Sequence, residues 1–218
     1  FNLFNFLKGK ILSKNPNFII RSTLFPNCCS QLINFLKLHY KEFYFSYCPE
    51  RILQGESIKE INNLPQIISS MDIASYNNAK KLFSTICKKT IKLKFNEAEY
   101  TKLFCNGWRY SSFALSNQLL SSCLKNNINP KNVFKALKFS YPRTKGLPYP
   151  GFTAGPCLLK DTQTLASFDT DNLSMYSNSI SVNESLPNFI INYYKKKFKI
   201  NFNNKNILVV GLGFKKNS

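Results

Sequence analysis

Acidic side chains and histidine are scarce in this sequence. Its 218 residues hold 11 Asp+Glu and one His against 30 Lys+Arg. The lone His39 has no partner at metal-ligand spacing, so no metal is expected: a zinc site needs clustered ligands. No run of roughly 18 apolar residues occurs, which excludes a membrane-spanning helix. The longest candidate, Phe18 to Phe25, is broken by Arg21. Arginine is also scarce, limited to Arg21, Arg51, Arg109 and Arg143. No C-x-x-C pair occurs among Cys28, Cys29, Cys48, Cys87, Cys105, Cys123 and Cys157.

What is present is a formal charge of +19 on a chain that is 44% hydrophobic and 15% aromatic. That composition is too apolar for a disordered basic tail. The length suffices for a core in one domain or two. The charge invites a nucleic-acid reading. Yet Lys, Asn, Ile, Phe and Tyr, the residues of A/T-rich codons, crowd the chain together. Arginine, which leads specific base and phosphate recognition, is nearly missing. The charge is therefore read as codon bias on solvated faces. The densest patch, Lys195, Lys196, Lys197 and Lys199, closes an apolar stretch, where cations suit a helix C-terminus. Seven cysteines without a secretory signal read as reduced thiols in a cytoplasmic protein. The chain opens on Phe1, and Lys8 and Lys10 interrupt the segment behind it. A processed chain or a fragment is expected, not a leader peptide.

Residues 2–14 carry apolar side chains at helical spacing. After Asn15-Pro16-Asn17 the pattern predicts a strand at 18–20, a helix at 29–39 and a strand at 43–47. A short strand at 65–70, a helix at 72–88 and a strand at 91–95 follow. This alternation is that of an α/β layer. At Asn96 the character changes. Asn96 reads as an N-cap with Glu97 and Glu99 in the first turn, opening a helix to about Leu124. A second helix spans 130–139, with proline at its start. The Pro/Gly-rich segment 141–156 is expected to be ordered and functional. Helices are predicted at 157–168 and 173–199, the latter tolerating Pro187. Residues 206–213 read as a buried parallel strand ending in a glycine turn. Such a strand needs neighbours on both sides, so a chain cut short at its C-terminus is expected.

Three places could carry chemistry. Cys157 opens a helix, where free N–H groups and the dipole favour a thiolate. Lys160 and Asp161 follow it, and Gly151 and Gly155 precede it. Small buried cysteines are common, so a packing role stays open. Lys102 and Asn106 share one helical face at i, i+4 and could bind an oxyanion; an ordinary polar stripe is the alternative. Glu50 follows a strand on an X-Pro turn, at the sheet edge where α/β proteins bind ligands; the alternative is a surface pair with Arg51. Gly211-Leu212-Gly213 does not complete a dinucleotide fingerprint, because Lys216 stands at its third glycine position.

Five stretches taken in order resemble the UDP-glucose/GDP-mannose dehydrogenase family of nucleotide-sugar 6-dehydrogenases. They are Arg21 to Pro26 (RSTLFP), Cys48 to Gly55 (CPERILQG), Glu97 to Asn106 (EAEYTKLFCN), Tyr141 to Asp161 (YPR…PGFTAGPCLLKD) and Ile207 to Lys215 (ILVVGLGFK). The resemblance implies an α/β, predominantly helical fold in three parts. Residues 1–96 would be the C-terminal part of an NAD-binding Rossmann-like domain. Residues 97–200 would be a helical central domain that dimerises, and 201–218 the truncated start of a UDP-sugar-binding α/β domain. It implies NAD-dependent oxidation of a sugar C6 alcohol to a carboxylate through a thiohemiacetal and a thioester on Cys157. Lys102 and Asn106 would stabilise the oxyanion. Glu50, Thr23 and Asp161 would serve acid–base and water-positioning steps. Ser22, Thr23, Gln54 and Lys160 would meet the cofactor. Arg143, Tyr149, Gly151, Phe152, Phe214 and Lys215 would meet a UDP-sugar. Gln54 stands where many members carry Glu, and Cys28-Cys29 and Thr153-Ala154-Pro156 also depart from the family pattern. The isolated chain is expected not to turn over. Two other classes remain open: a non-catalytic dimerisation module, and a basic nucleic-acid-binding protein.

Overall fold

A computed structural model describes residues 14–53, 55, 57–153, 155–168, 174–206, 208 and 210. The chain divides into two compact units, Phe1–Leu103 and Phe104–Ser218.

In the first unit the order is β1 (Asn17–Ile20), α1 (Cys28–Lys37), β2 (Tyr44–Tyr47), α2 (Ser57–Asn63), β3 (Gln66–Ser70), α3 (Ile73–Phe83) and β4 (Thr90–Lys92). The strands form one sheet in the order β1-β2-β3-β4. β1 pairs with β2 in parallel, Phe18 opposite Phe45 and Ile20 opposite Tyr47. Successive side chains of a strand point to opposite faces, and β3 uses both. Ile67 joins a core with Cys29, Leu32 and Leu36 of α1 and Phe45 and Tyr47 of β2; Ile68 joins a second core with Ala79 and Phe83 of α3. Helices thus cover a sheet that is apolar on both faces, the α/β arrangement the alternation predicts.

Several expectations change in detail. β2 and β3 run antiparallel, with Ser46 opposite Ser70. The connection keeps the chain at one edge of the sheet. Gln66 Nε2 donates to the Pro49 carbonyl at 3.3 Å, and Arg51 donates to the Pro65 carbonyl. The chain therefore re-enters where it left. That connection contains α2, a short helix with no buried residue and so no apolar stripe to announce it. The helix foreseen over 72–88 ends at Phe83, with Asp72 as its N-cap accepting from Ser75 N–H at 2.6 Å. Strand β4 covers Thr90–Lys92, not 91–95, because the next helix already begins at Phe95.

That helix, α4 (Phe95–Lys125), continues from the first unit into the second. Asn96 is not its N-cap. The Glu97 carboxylate accepts from Lys94 N–H at 2.7 Å, and Ala98 N–H donates to the Lys94 carbonyl at 3.0 Å. The cap therefore lies at Lys94, with Glu97 reaching back as in half a capping box. Glu99 is fully buried and accepts from Asn27 N–H at 2.8 Å and Cys29 N–H at 2.7 Å. It supplies the anion that the start of α1 needs.

The second unit continues with α5 (Pro130–Lys138), a 3-10 turn (Pro142–Thr144), α6 (Pro156–Phe168) and α7 (Met175–Phe198). Asn129 and Ser174 cap α5 and α7, and Pro187 lies inside α7 as foreseen. Gly107 lets α4 approach α6 and α7. A Cβ there would lie 2.6 Å from Leu165 Cδ1 and 3.1 Å from Tyr176 Cε1. The helix foreseen over 2–14 and most of the strand foreseen over 206–213 lie outside the described residues. No described helix is long and apolar enough to cross a membrane.

Candidate active site

The sequence-predicted residues fall in both units. In the first, the β1–β2 pairing runs past the strand ends. Cys48 N–H donates to the Ile20 carbonyl at 2.8 Å, and Glu50 N–H to the Arg21 carbonyl at 3.1 Å. This sets Arg21 beside Glu50 at the carboxyl edge of the sheet. Arg21 Nη2 donates to Glu50 Oε2. Glu50 Oε1 accepts from the backbone N–H groups of Arg51 at 2.8 Å and Ile52 at 3.0 Å. The partner of Glu50 is therefore Arg21, not the adjacent Arg51, which turns to Pro65. The Arg21 guanidinium also lies 4.9 Å from the centre of the Phe83 ring. Ser22 is exposed and Thr23 half-buried at the same edge.

Cysteine environments separate sharply. Burial, reinforced by the neighbouring Glu99 carboxylate, pushes the Cys29 thiol far above its usual range. Burial pushes Cys48 up to about 12, against the pull of Arg21. Cys157 is exposed.

In the second unit, α6 begins at Pro156, just after Gly155, whose φ of 92° is left-handed. Glycine adopts that conformation without a Cβ penalty. Cys157 therefore stands in the first helical turn, and Asp161 follows one turn later on the same face. Asp161 is 1% exposed. Its Oδ2 accepts from Asn106 Nδ2 of α4 at 2.6 Å, and the exposed Lys160 ammonium lies 3.0 Å from Oδ1. Two stretches 55 residues apart in sequence meet through this carboxylate. Lys102 is half-buried one turn before Asn106 on α4.

The segment before Cys157 lies along α4. Arg143 is in the 3-10 turn, its guanidinium 5.4 Å from the Tyr141 ring centre. Tyr149 and Phe152 are exposed, and Lys138 Nζ sits 5.0 Å from the centre of the Tyr149 ring. Gly151 N–H donates to Asn117 Oδ1 at 2.9 Å, so it is not open to a ligand. Gln54, Phe214 and Lys215 lie outside the described residues. Among the described residues no group of three or more His, Cys, Asp or Glu could hold a metal ion.

Sequence reasoning missed Arg21, Glu99, Tyr110 and Asn117. One signal for two of them was available. Asn106, Tyr110 and Asn117 recur at i, i+4 and i+11, one face of a 3.6-residue helix. Tyr110 is fully buried. Burial and its 2.8 Å hydrogen bond to Glu184 raise its hydroxyl to about 12.

Residues 96–185, which hold nearly all of α4, the loop before Cys157, all of α6 and the first part of α7, match the UDP-glucose/GDP-mannose dehydrogenase family, central domain. The UDP-N-acetyl-D-mannosamine dehydrogenase of Methanococcus vannielii is 27% identical over 204 residues, covering 91% of this chain and 46% of the relative. That of Campylobacter jejuni is 27% identical over 220 residues, covering 95% and 54%. Among solved structures, the UDP-N-acetyl-D-mannosamine dehydrogenase of Pyrococcus horikoshii superposes with a TM-score of 0.75 at 26% identity, covering 84% of this chain and 46% of that one. Residues 96–185 thus resemble the central domain of the nucleotide-sugar dehydrogenases, and the chain as a whole is similar to members of that family. The chain spans about half the length of the curated relatives it matches. Its α/β first unit agrees with the Rossmann-like fold of those dehydrogenases.

Proposed function

We propose that this chain is part of an NAD-dependent dehydrogenase that oxidises the C6 primary alcohol of a UDP-sugar to a carboxylate, for polysaccharide precursor synthesis in the cytoplasm. The relatives' names point to an N-acetylated hexosamine sugar such as UDP-N-acetyl-D-mannosamine. The observation that carries the reading is the Asn106–Asp161 hydrogen bond at 2.6 Å, with Cys157 one turn ahead of Asp161. It joins two family motifs around one exposed thiol.

NAD, when bound, accepts a hydride in each of the two oxidations. Ser22 and Thr23, exposed and half-buried after β1, fit a cofactor at the sheet edge. Gln54 and Lys160 complete that assignment. The chain's own residues supply the rest. The alcohol, having lost a hydride and a proton, becomes an aldehyde. Cys157 attacks it as thiolate, giving a thiohemiacetal. Loss of the second hydride leaves a thioester. Water then attacks the carbonyl, the C–S bond breaks, and the Cys157 thiolate leaves as the carboxylate is released.

Asn106 has two N–H groups on Nδ2. Asp161 holds one, which aims the other, together with Lys102, at the oxyanion. Glu50, paired with Arg21, serves acid–base steps and, with Thr23 and Asp161, the hydrolytic water. Arg143, Tyr149, Gly151, Phe152, Phe214 and Lys215 bind the sugar nucleotide, Gly151 through the shape it gives the loop, since Asn117 takes both its N–H and its carbonyl.

Residues 1–96 would close an NAD-binding domain, 97–200 form the central domain and 201–218 begin the UDP-sugar domain. The central helices would pair two copies. Phe104, Trp108 and Leu115 of α4 are 45%, 69% and 64% exposed and share one face of the helix, an apolar stripe that a second copy would cover.

The test is product analysis in the protein as the cell makes it. Wild type should yield two NADH and one uronate per UDP-N-acetyl-D-mannosamine. Cys157→Ser should lower uronate formation by roughly a thousandfold or more, in line with loss of a covalent nucleophile. An unchanged uronate yield removes Cys157 from the mechanism.

A further inference from the structure

The loop that leads to Cys157 is fastened to α4 at two points. Ser116 Oγ donates to the Pro148 carbonyl at 2.7 Å. Asn117 accepts from Gly151 N–H at 2.9 Å and donates to the Gly151 carbonyl at 3.0 Å. The second point differs from the first. Asn117 is 1% exposed, and its carboxamide pairs with a single residue's backbone as a neighbouring strand would. Its Nδ2 also donates to Asn183 Oδ1 at 2.9 Å, and Asn183 Nδ2 donates to the Tyr110 carbonyl at 3.0 Å. A carboxamide has two N–H donors, and both are in use here. The orientation is therefore unique: turned over, Nδ2 would face the Gly151 N–H and Oδ1 the Asn183 oxygen.

We propose that Asn117 is a positioning residue for substrate. It holds residues 148–153 in the shape that offers the Tyr149 and Phe152 rings and the loop backbone to the sugar nucleotide. This rests on the dehydrogenase reading above. It also narrows how the loop meets its ligand. Pro148 and Pro150 have no N–H, and that of Gly151 belongs to Asn117. The backbone donors left for a sugar or phosphate oxygen are those of Tyr149, Phe152 and Thr153. Because Gly151 is fixed on both sides, the loop is a preformed template whose ordering precedes binding.

The experiment is amide hydrogen exchange, with titration of UDP-N-acetyl-D-mannosamine, in the protein as the cell makes it. It compares wild type with Asn117→Ala, Asn117→Asp and the milder Ser116→Ala. Asn117→Ala should speed exchange of the Gly151 amide at least tenfold, leaving Ala114 of α4 and Leu186 of α7 within twofold. Its dissociation constant for the sugar nucleotide should rise at least tenfold. Asn117→Asp keeps the acceptor for Gly151 N–H and should recover part of both effects. Ser116→Ala, which loses only the Pro148 contact, should give a smaller change.

Unchanged Gly151 exchange overturns the proposal. Acceleration spread evenly through α4 and α7 also overturns it, because Asn117 would then be an ordinary core residue. Faster loop exchange with unaltered sugar affinity overturns the role in substrate positioning. If wild type itself takes up no UDP-sugar, the dehydrogenase reading fails and the substrate role falls with it. The exchange data still decide separately whether Asn117 holds the loop.

Discussion

Gly107 shows how much a single residue controls. With no Cβ, it lets Leu165 of α6 and Tyr176 of α7 come against α4, at positions where a methyl would stand 2.6 and 3.1 Å from their carbons. Gly107→Ala should therefore destabilise the second unit by about 1–3 kcal/mol, the range for overpacking a filled core. Urea unfolding checks this: a midpoint equal to wild type means that α6 and α7 can step aside. Gly107 immediately follows Asn106, so the same close approach carries α6, with Asp161, up to the Asn106 amide. Cys157, Lys160, Asp161 and Asn106 were legible one by one as residue types at helical spacing. Their meeting was not, because the bond between Asn106 and Asp161 spans 55 residues and no local pattern encodes it. The resemblance to a family put them together; spacing alone left each with an ordinary alternative.

Elements followed the sequence where an apolar period was strong. β1, β2 and β3, and helices α1, α3, α5, α6 and α7, begin or end within a few residues of the pattern. The failures share a cause: the deciding contact was remote. α2 has no buried face, so no periodicity marks it. The antiparallel β2–β3 pair depends on Arg51 and Gln66 binding the connection, which sequence reads only as a turn. The start of α1 is the clearest case. Asn27, left-handed at φ 68°, makes no side-chain cap. The capping anion comes instead from Glu99, on another helix and 70 residues beyond Cys29. Glu99→Ala should leave the Asn27 and Cys29 N–H groups unmatched and cost about 1–3 kcal/mol, the usual penalty for a buried orphaned donor. Glu99→Gln, which keeps one acceptor, should cost less. Equal losses in the two variants, read from thermal melts, would mean that packing and not capping is the role of Glu99.

At the scale of the whole molecule, +19 charges first suggest a polyanion partner. The likeness to nucleotide-sugar dehydrogenases makes an anionic sugar nucleotide the proposed ligand, and the cations assigned to it are few: Lys102, Arg143, Lys160 and Lys215. The rest are Lys-rich faces. The proposed pairing of two copies would rest on the exposed stripe of Phe104, Trp108 and Leu115. Trp108→Glu combined with Leu115→Glu should convert a dimer to monomer in sedimentation equilibrium at micromolar concentration; an unchanged mass would place the interface elsewhere. Because the chain spans about half the length of the relatives it matches, the chemistry is best tested in the protein as the cell makes it. The account turns on a covalent bond to one sulfur among seven. Glu50→Gln should slow hydrolysis and let the thioester accumulate. The decisive measurement is peptide mapping by mass spectrometry after acid quench of that variant turning over UDP-N-acetyl-D-mannosamine with NAD. The account predicts the sugar nucleotide attached to the peptide bearing Cys157 and to no other cysteine; an adduct elsewhere, or none while uronate still forms, contradicts it.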